Sequence, residues 1–159
     1  MVSDKALSIL ADLYNPALCI GILLVMFRLR RWRSIGRATA LLGLYWLGAF
    51  GISLLDYLFP LWSRIGWDYS THTAFAAACV WFLWRYRQQA ALWILSLLVY
   101  FWLMRHLRYH TIADMASTLV VMLFWLQLAD VLLKRFKNGN SNSSQIPKYE
   151  RNPNSDHQS

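Results

Sequence analysis

Long apolar runs alternate with short charged gaps along this chain, and the pattern predicts helices over 6–27, 38–59, 70–84, 90–104 and 111–133. The second run, about 22 residues, reaches ~33 Å at ~1.5 Å per residue, enough to cross a ~30 Å hydrocarbon core. Asp12, Asn15 and Pro16 interrupt the first run, which assigns its N-terminal half to the membrane interface. Pro60 closes the second. The fourth is short, so Arg105 and Arg108 are expected at or just inside the interface, with snorkelling or local thinning absorbing the mismatch. Lys134, Arg135 and Lys137 stop the fifth. Beyond them Asn, Ser, Gln and Pro dominate, so 1–137 is read as a membrane-embedded helical domain and 138–159 as a disordered cytoplasmic tail.

Composition supports this all-α, integral membrane bundle of about five transmembrane helices. A chain of 159 residues that is 57% hydrophobic and carries nine Trp is too apolar for an ordinary soluble domain. The net charge of +8 does not point to nucleic acid, because the basic residues are confined to gaps and tail and form no continuous face. They read as orientation signals. Apart from Lys5, Arg64, Arg105 and Arg108, every Lys and Arg falls on one side of the predicted topology, beginning with the loop of Arg28, Arg30, Arg31, Arg33 and Arg37. The positive-inside rule makes that side cytoplasmic and puts the N-terminus outside, as in a bacterial inner membrane. The first run is expected to be a retained helix, since its positive cluster follows the apolar stretch instead of preceding it.

Several polar or small residues have plain structural readings. Cys19 and Cys79 lie inside apolar runs as small buried hydrophobes, with no disulfide framework or metal site implied. Gly43, Gly48 and Gly51 are expected to allow close helix packing. Asp130 is positioned to pair with Lys134 one turn later.

Two outward-facing stretches carry the candidate chemistry. Asp68 to Thr73 opens the third helix and Arg105 to Asp114 opens the fifth. Ionisable groups beside membrane-length segments are costly to keep, so they are functional candidates by default. Each stretch is a helix N-terminus, which suits an anion such as phosphate, and Arg64, Arg105 and Arg108 lie on the same side, where they can converge as a phosphate clamp. His110 and Asp114 are four apart, so on a helix they share a face and the carboxylate can orient the imidazole. The competing reading makes Thr111 an N-cap reciprocated by Asp114, with no catalysis involved. His72, in the first turn of its helix and capped by Ser70 or Asp68, is either an interfacial residue or the partner of His110. His106, Tyr69 and Tyr109 read as interfacial residues.

The two stretches together resemble the type-2 phosphatidic acid phosphatase superfamily of lipid phosphatases and phosphotransferases, over residues 64 to 122. The family carries Ser-Gly-His opening one helix and, further on, an Arg-containing segment ending in His-x3-Asp. Here these are Ser70, Thr71 and His72, then His110 and Asp114. The resemblance implies that His110 attacks phosphorus to form a phosphohistidine, that Asp114 orients it, and that His72 protonates the leaving alcohol. It implies phosphate binding by Arg105, Arg108, Arg64, Ser70 and Thr71, with no metal or cofactor. Thr71 stands where the family has Gly, and Met104, just before Arg105, where it has Arg. The family's first motif, Lys-x6-Arg-Pro, is absent, since no Lys occurs between Lys5 and Lys134. Ser70-to-Thr73 and His110-to-Asp114 are also similar to the sphingolipid-type phosphotransferase branch.

The expected function is therefore hydrolysis of a lipid phosphate or pyrophosphate at the outer membrane face, through a phosphohistidine. The alternatives are a lipid phosphotransferase of the sphingolipid-synthase-like branch and a non-catalytic lipid-binding member of the same fold. The expected partners are the membrane and a lipid phosphate substrate, with no nucleic acid.

Overall fold

Helix α3 (Thr71–Tyr86) is the axis around which the other helices pack. It is rich in alanine, and Ala74, Ala76, Ala77, Ala78, Cys79, Phe82 and Leu83 are all buried. Small side chains let neighbouring backbones come close, which is how helices associate where water supplies no hydrophobic drive. Around it stand α1 (Asp4–Arg28), α2 (Trp32–Leu58), α4 (Ala90–His106) and α5 (Ile112–Asn142), and each of them packs on α3. The computed structural model describes residues 4–29, 31–86 and 90–142, all helix and connecting turns with no strand among them.

The five helices are those the hydropathy pattern predicts, with three differences. Pro16 does not break α1, which runs unbroken for 25 residues. Proline leaves one carbonyl without its intrahelical donor, here that of Asp12, and membrane helices tolerate this because neighbours can re-satisfy the freed group. The arginine loop is shorter than expected, because Arg33 and Arg37 lie within α2 and only Leu29 to Arg31 separate it from α1. Arginine is a good helix former, so charge marks the membrane boundary without ending the helix. Helix α5 continues to Asn142, past the expected boundary at 137, and the remainder of the expected tail lies outside the described residues.

Helices α1, α2 and α5 are long and apolar enough to cross a membrane, over Asp4–Arg28, Trp32–Leu58 and Ile112–Arg135. Their outward faces carry exposed large hydrophobics, including Leu23, Leu24, Leu47, Leu54, Val120 and Phe124. An apolar exterior of this extent is unfavourable in water and suits hydrocarbon. Helix α3, at 16 residues, is too short to span alone, but it is enclosed by the other four.

Specific contacts lock the bundle. A Cβ on Gly48 would stand 2.1 Å from the Trp125 indole, so this glycine admits the ring, whose Nε1 donates to the Leu44 carbonyl at 2.9 Å. Gly43 and Gly51 face open space, contrary to the expectation that they pack helices. Asp130 does not pair with Lys134. Its carboxylate accepts the Tyr45 hydroxyl, the Trp81 Nε1 and the Arg85 guanidinium, tying α2, α3 and α5 together. Both cysteines are free thiols, Cys79 fully buried.

Candidate functional site

One end of the bundle gathers the start of α1, the end of α2, the start of α3, the end of α4 and the start of α5. Hydrogen bonds fix that end. Ser8 Oγ and Tyr109 OH are 2.9 Å apart, Trp62 donates its backbone N–H to Asp56 and its Nε1 to Ser117, and the Tyr69 hydroxyl donates to the Ala49 carbonyl at 3.0 Å. Tyr69 is thus a buried tether packed edge-on against Trp62, not an interfacial aromatic.

His72 and His110, predicted from two separate stretches, line a single cavity of about 300 Å³ together with Ala11, Asp12, Tyr100, Met104 and Tyr109. Helix α3 supplies His72 from its first turn, and the α4–α5 connection supplies Tyr109 and His110. That connection is a helix terminus of the Schellman type. Arg108 adopts φ 57, its N–H donates to Arg105 O at 3.1 Å, and the Tyr109 N–H donates to Met104 O at 3.1 Å. The turn thereby brings Tyr109 onto the cavity that Met104, in the last turn of α4, also lines.

The carboxylates are arranged differently from the expectation. Asp114 is 6% exposed, and both its oxygens accept backbone N–H groups: Oδ1 that of Asp68 at 2.9 Å, Oδ2 that of Thr111 at 2.8 Å. The Asp114 N–H reaches back to Thr111 Oγ1 at 3.2 Å. This is the capping box, so the reading in which Asp114 orients His110 is replaced by one in which it caps α5 and pins the Asp68 loop. The imidazole faces Asp68 instead, with Nδ1 3.8 Å from Oδ2. Burial pushes His110 below its ordinary pKa, while Asp68 and then Asp114 pull it upward and His72 downward. A neutral imidazole with Nδ1 turned to a carboxylate keeps the lone pair of Nε2 free.

The predicted phosphate ligands do not converge. Ser70 is fully buried: its N–H donates to Thr118 Oγ1 at 3.0 Å and its Oγ accepts the Thr73 N–H at 3.3 Å, an N-cap for α3. Ser70 thus takes the Thr73 N–H at the start of α3, and the reciprocal Thr111–Asp114 pair takes those of Thr111 and Asp114 at the start of α5, so part of each helix start is already occupied by side-chain acceptors. Thr71 lies 3.5 Å from Ser53 Oγ through its own hydroxyl. Arg64 is exposed on the short 3-10 helix Ser63–Ile65, Arg108 is exposed in the turn, and Arg105 lines a separate apolar hollow with Phe101, Trp102 and Ile112. None of the three arginines lines the histidine cavity. His106 stacks on Trp102 at 5.3 Å, consistent with an interfacial role.

Two cavity residues escaped the sequence reading. Asp12 was visible as a carboxylate inside an apolar run, the usual mark of a functional position, yet it serves equally as a span interruption. Tyr100 looks like one more aromatic of α4. Comparisons with family models, with curated proteins and with solved structures find no match to this chain.

Proposed function

We propose that the chain is a membrane lipid phosphatase of the type-2 phosphatidic acid phosphatase kind, acting through a phosphohistidine. The observation that carries the reading is the meeting of His72 and His110 in one cavity at the end of an apolar bundle. His110 Nε2 attacks phosphorus, the bond from phosphorus to the lipid oxygen breaks, and protonated His72 gives its proton to the departing alkoxide. Water then attacks the phosphohistidine, His72 takes its proton, and inorganic phosphate leaves with His110 restored. Dividing one displacement into two lowers each barrier. Asp68, on the Nδ1 side of His110, is the carboxylate suited to hold the imidazole and to balance its charge during attack.

The basic groups Arg28, Arg31, Arg33, Arg37, Arg85, Lys134 and Arg135 stand at the end of the helices opposite the cavity. Under the positive-inside rule that end is cytoplasmic and the cavity opens outward, as in a bacterial inner membrane. A reporter fused after Lys137 is then cytoplasmic.

The position of the arginines favours a second reading, a non-catalytic lipid-binding protein, because phosphoryl transfer relies on positive groups around the transferring phosphate. One experiment separates the readings. Purified protein with EDTA and a short-chain lipid phosphate labelled on phosphorus should yield an acid-labile, base-stable phosphohistidine, lost in His110→Ala. Binding of the lipid phosphate without any trapped phosphorus would establish the second reading. Transfer of label to an added lipid alcohol, with no free phosphate, would mark a phosphotransferase.

A further inference from the structure

We propose that the groove between α1 and α4 holds one hydrocarbon chain of the lipid whose phosphate enters the histidine cavity, an inference that rests on the lipid-phosphate reading. The groove encloses about 450 Å³. Leu10, Leu13, Tyr14 and Ala17 form one stripe of α1, and Leu92, Leu95, Ser96, Val99, Tyr100 and Leu103 one stripe of α4. Its floor is closed by the Tyr14 hydroxyl and Ser96 Oγ, which bond to each other at 3.0 Å, and by Tyr14 stacked on Tyr100 at 4.3 Å. Ser96 Oγ also donates to the Trp93 carbonyl at 2.8 Å, so both hydroxyls have partners within the protein and the groove offers an occupant an almost wholly apolar surface.

The groove borders the cavity, and this points to the occupant. Tyr100, only 2% exposed, lines both spaces, and on α4 the groove's Leu103 is adjacent to the cavity's Met104. From Leu103 back to Leu92 the stripe covers twelve residues of helix, whose ends stand ~17 Å apart at ~1.5 Å per residue. That is about half of a ~30 Å hydrocarbon core, the depth of one leaflet. A molecule with a phosphate head and a linear chain therefore occupies cavity and groove together, its chain parallel to the helices. Lipid-facing burial contributes little affinity inside a bilayer, where hydrocarbon is the solvent. The groove acts by holding the head in register with the histidines, a positional effect.

The test uses the full chain in nanodiscs and hexadecyl phosphate bearing a diazirine near the chain end. Photolysis should label peptides from 10–17 and 92–103, and excess hexadecyl phosphate, but not hexadecanol, should suppress the labelling. Label spread over the outward faces of all helices, or equal suppression by hexadecanol, would mean bulk lipid fills the groove and the proposal fails. Cross-links between two copies would assign the groove to a protein partner and also overturn it. In turnover, Ala17→Phe, which intrudes on the groove, should lower the rate on hexadecyl phosphate relative to butyl phosphate about tenfold. Ala40→Phe, on the exposed face of α2, should keep the native ratio, and an unchanged ratio in Ala17→Phe counts against the groove. If the native chain turns over neither substrate, the phosphatase reading falls and the labelling alone decides the groove.

Discussion

The backbone N–H of Asp68 donates to Oδ1 of Asp114 at 2.9 Å, joining the loop before α3 to the first turn of α5 across 46 residues. Since Thr111 N–H takes the other oxygen at 2.8 Å, one buried carboxylate holds both loops that deliver the histidines. Asp114→Asn leaves at least one of those N–H groups facing an amide donor, and an unsatisfied buried donor costs about 1–3 kcal/mol. We predict a lower unfolding midpoint in detergent for Asp114→Asn and Asp114→Ala. A midpoint equal to the native one would contradict the capping role.

Asp68 is expected to behave differently. Its side chain is 74% exposed, so Asp68→Asn should leave the unfolding midpoint nearly unchanged while altering the titration of His110. Burial already places His110 below the ordinary imidazole value of about 6.5, and Asp68 is the foremost group pulling it back up. The acid limb of kcat/KM should therefore lie below that value in the native chain and move to lower pH in Asp68→Asn. A limb that stays in place would remove Asp68 from any positioning role.

The same shift makes a statement about stability. Near and below pH 6.5 the unfolded chain binds a proton at His110 that the folded chain resists, so folding should weaken as pH falls and level off below the folded pKa. His110→Gln should flatten that part of the stability profile.

Arg108 sits in the left-handed region at φ 57, where a side chain costs about 1–2 kcal/mol and glycine costs little. Arg108→Gly should accordingly raise the unfolding midpoint. If the guanidinium also receives phosphate, KM should rise in the same variant, and stability and binding would move in opposite directions. A midpoint that falls would show that Arg108 makes stabilising contacts outweighing its strain.

Helix number and order were legible because charge gaps punctuate apolar runs, and the meeting of His72 and His110 was legible because both stand at or just before the starts of helices that begin at one end. The partner of His110 was not. His110 and Asp114 are four apart, but α5 begins only at Ile112, so the same-face argument does not apply to a histidine lying before the helix. What Asp114 shares with the helix start is the pair of backbone N–H groups, and the capping chemistry prevailed. The arginine clamp failed for a related reason: membership of one membrane face fixes depth, not direction, and Arg105 points along the α4–α5 hollow.

Glycine positions provide a sharper test of packing, because three glycines of α2 look alike in sequence and differ in surroundings. At Gly48 an added Cβ would meet Trp125 Cδ1 and Nε1 at 2.1 Å, and the indole cannot retreat without giving up its 2.9 Å bond to Leu44 O. Overpacking of this kind costs about 1–3 kcal/mol, and loss of the indole bond adds to it. Gly43 and Gly51 have no atom within 4 Å of the added carbon, so alanine there gains helix propensity of roughly 0.8–1 kcal/mol with no steric opposition. Gly48→Ala should lower the unfolding midpoint while Gly43→Ala and Gly51→Ala raise it or leave it level. Equal behaviour of all three would mean that α2 does not meet α5 through Gly48 and Trp125.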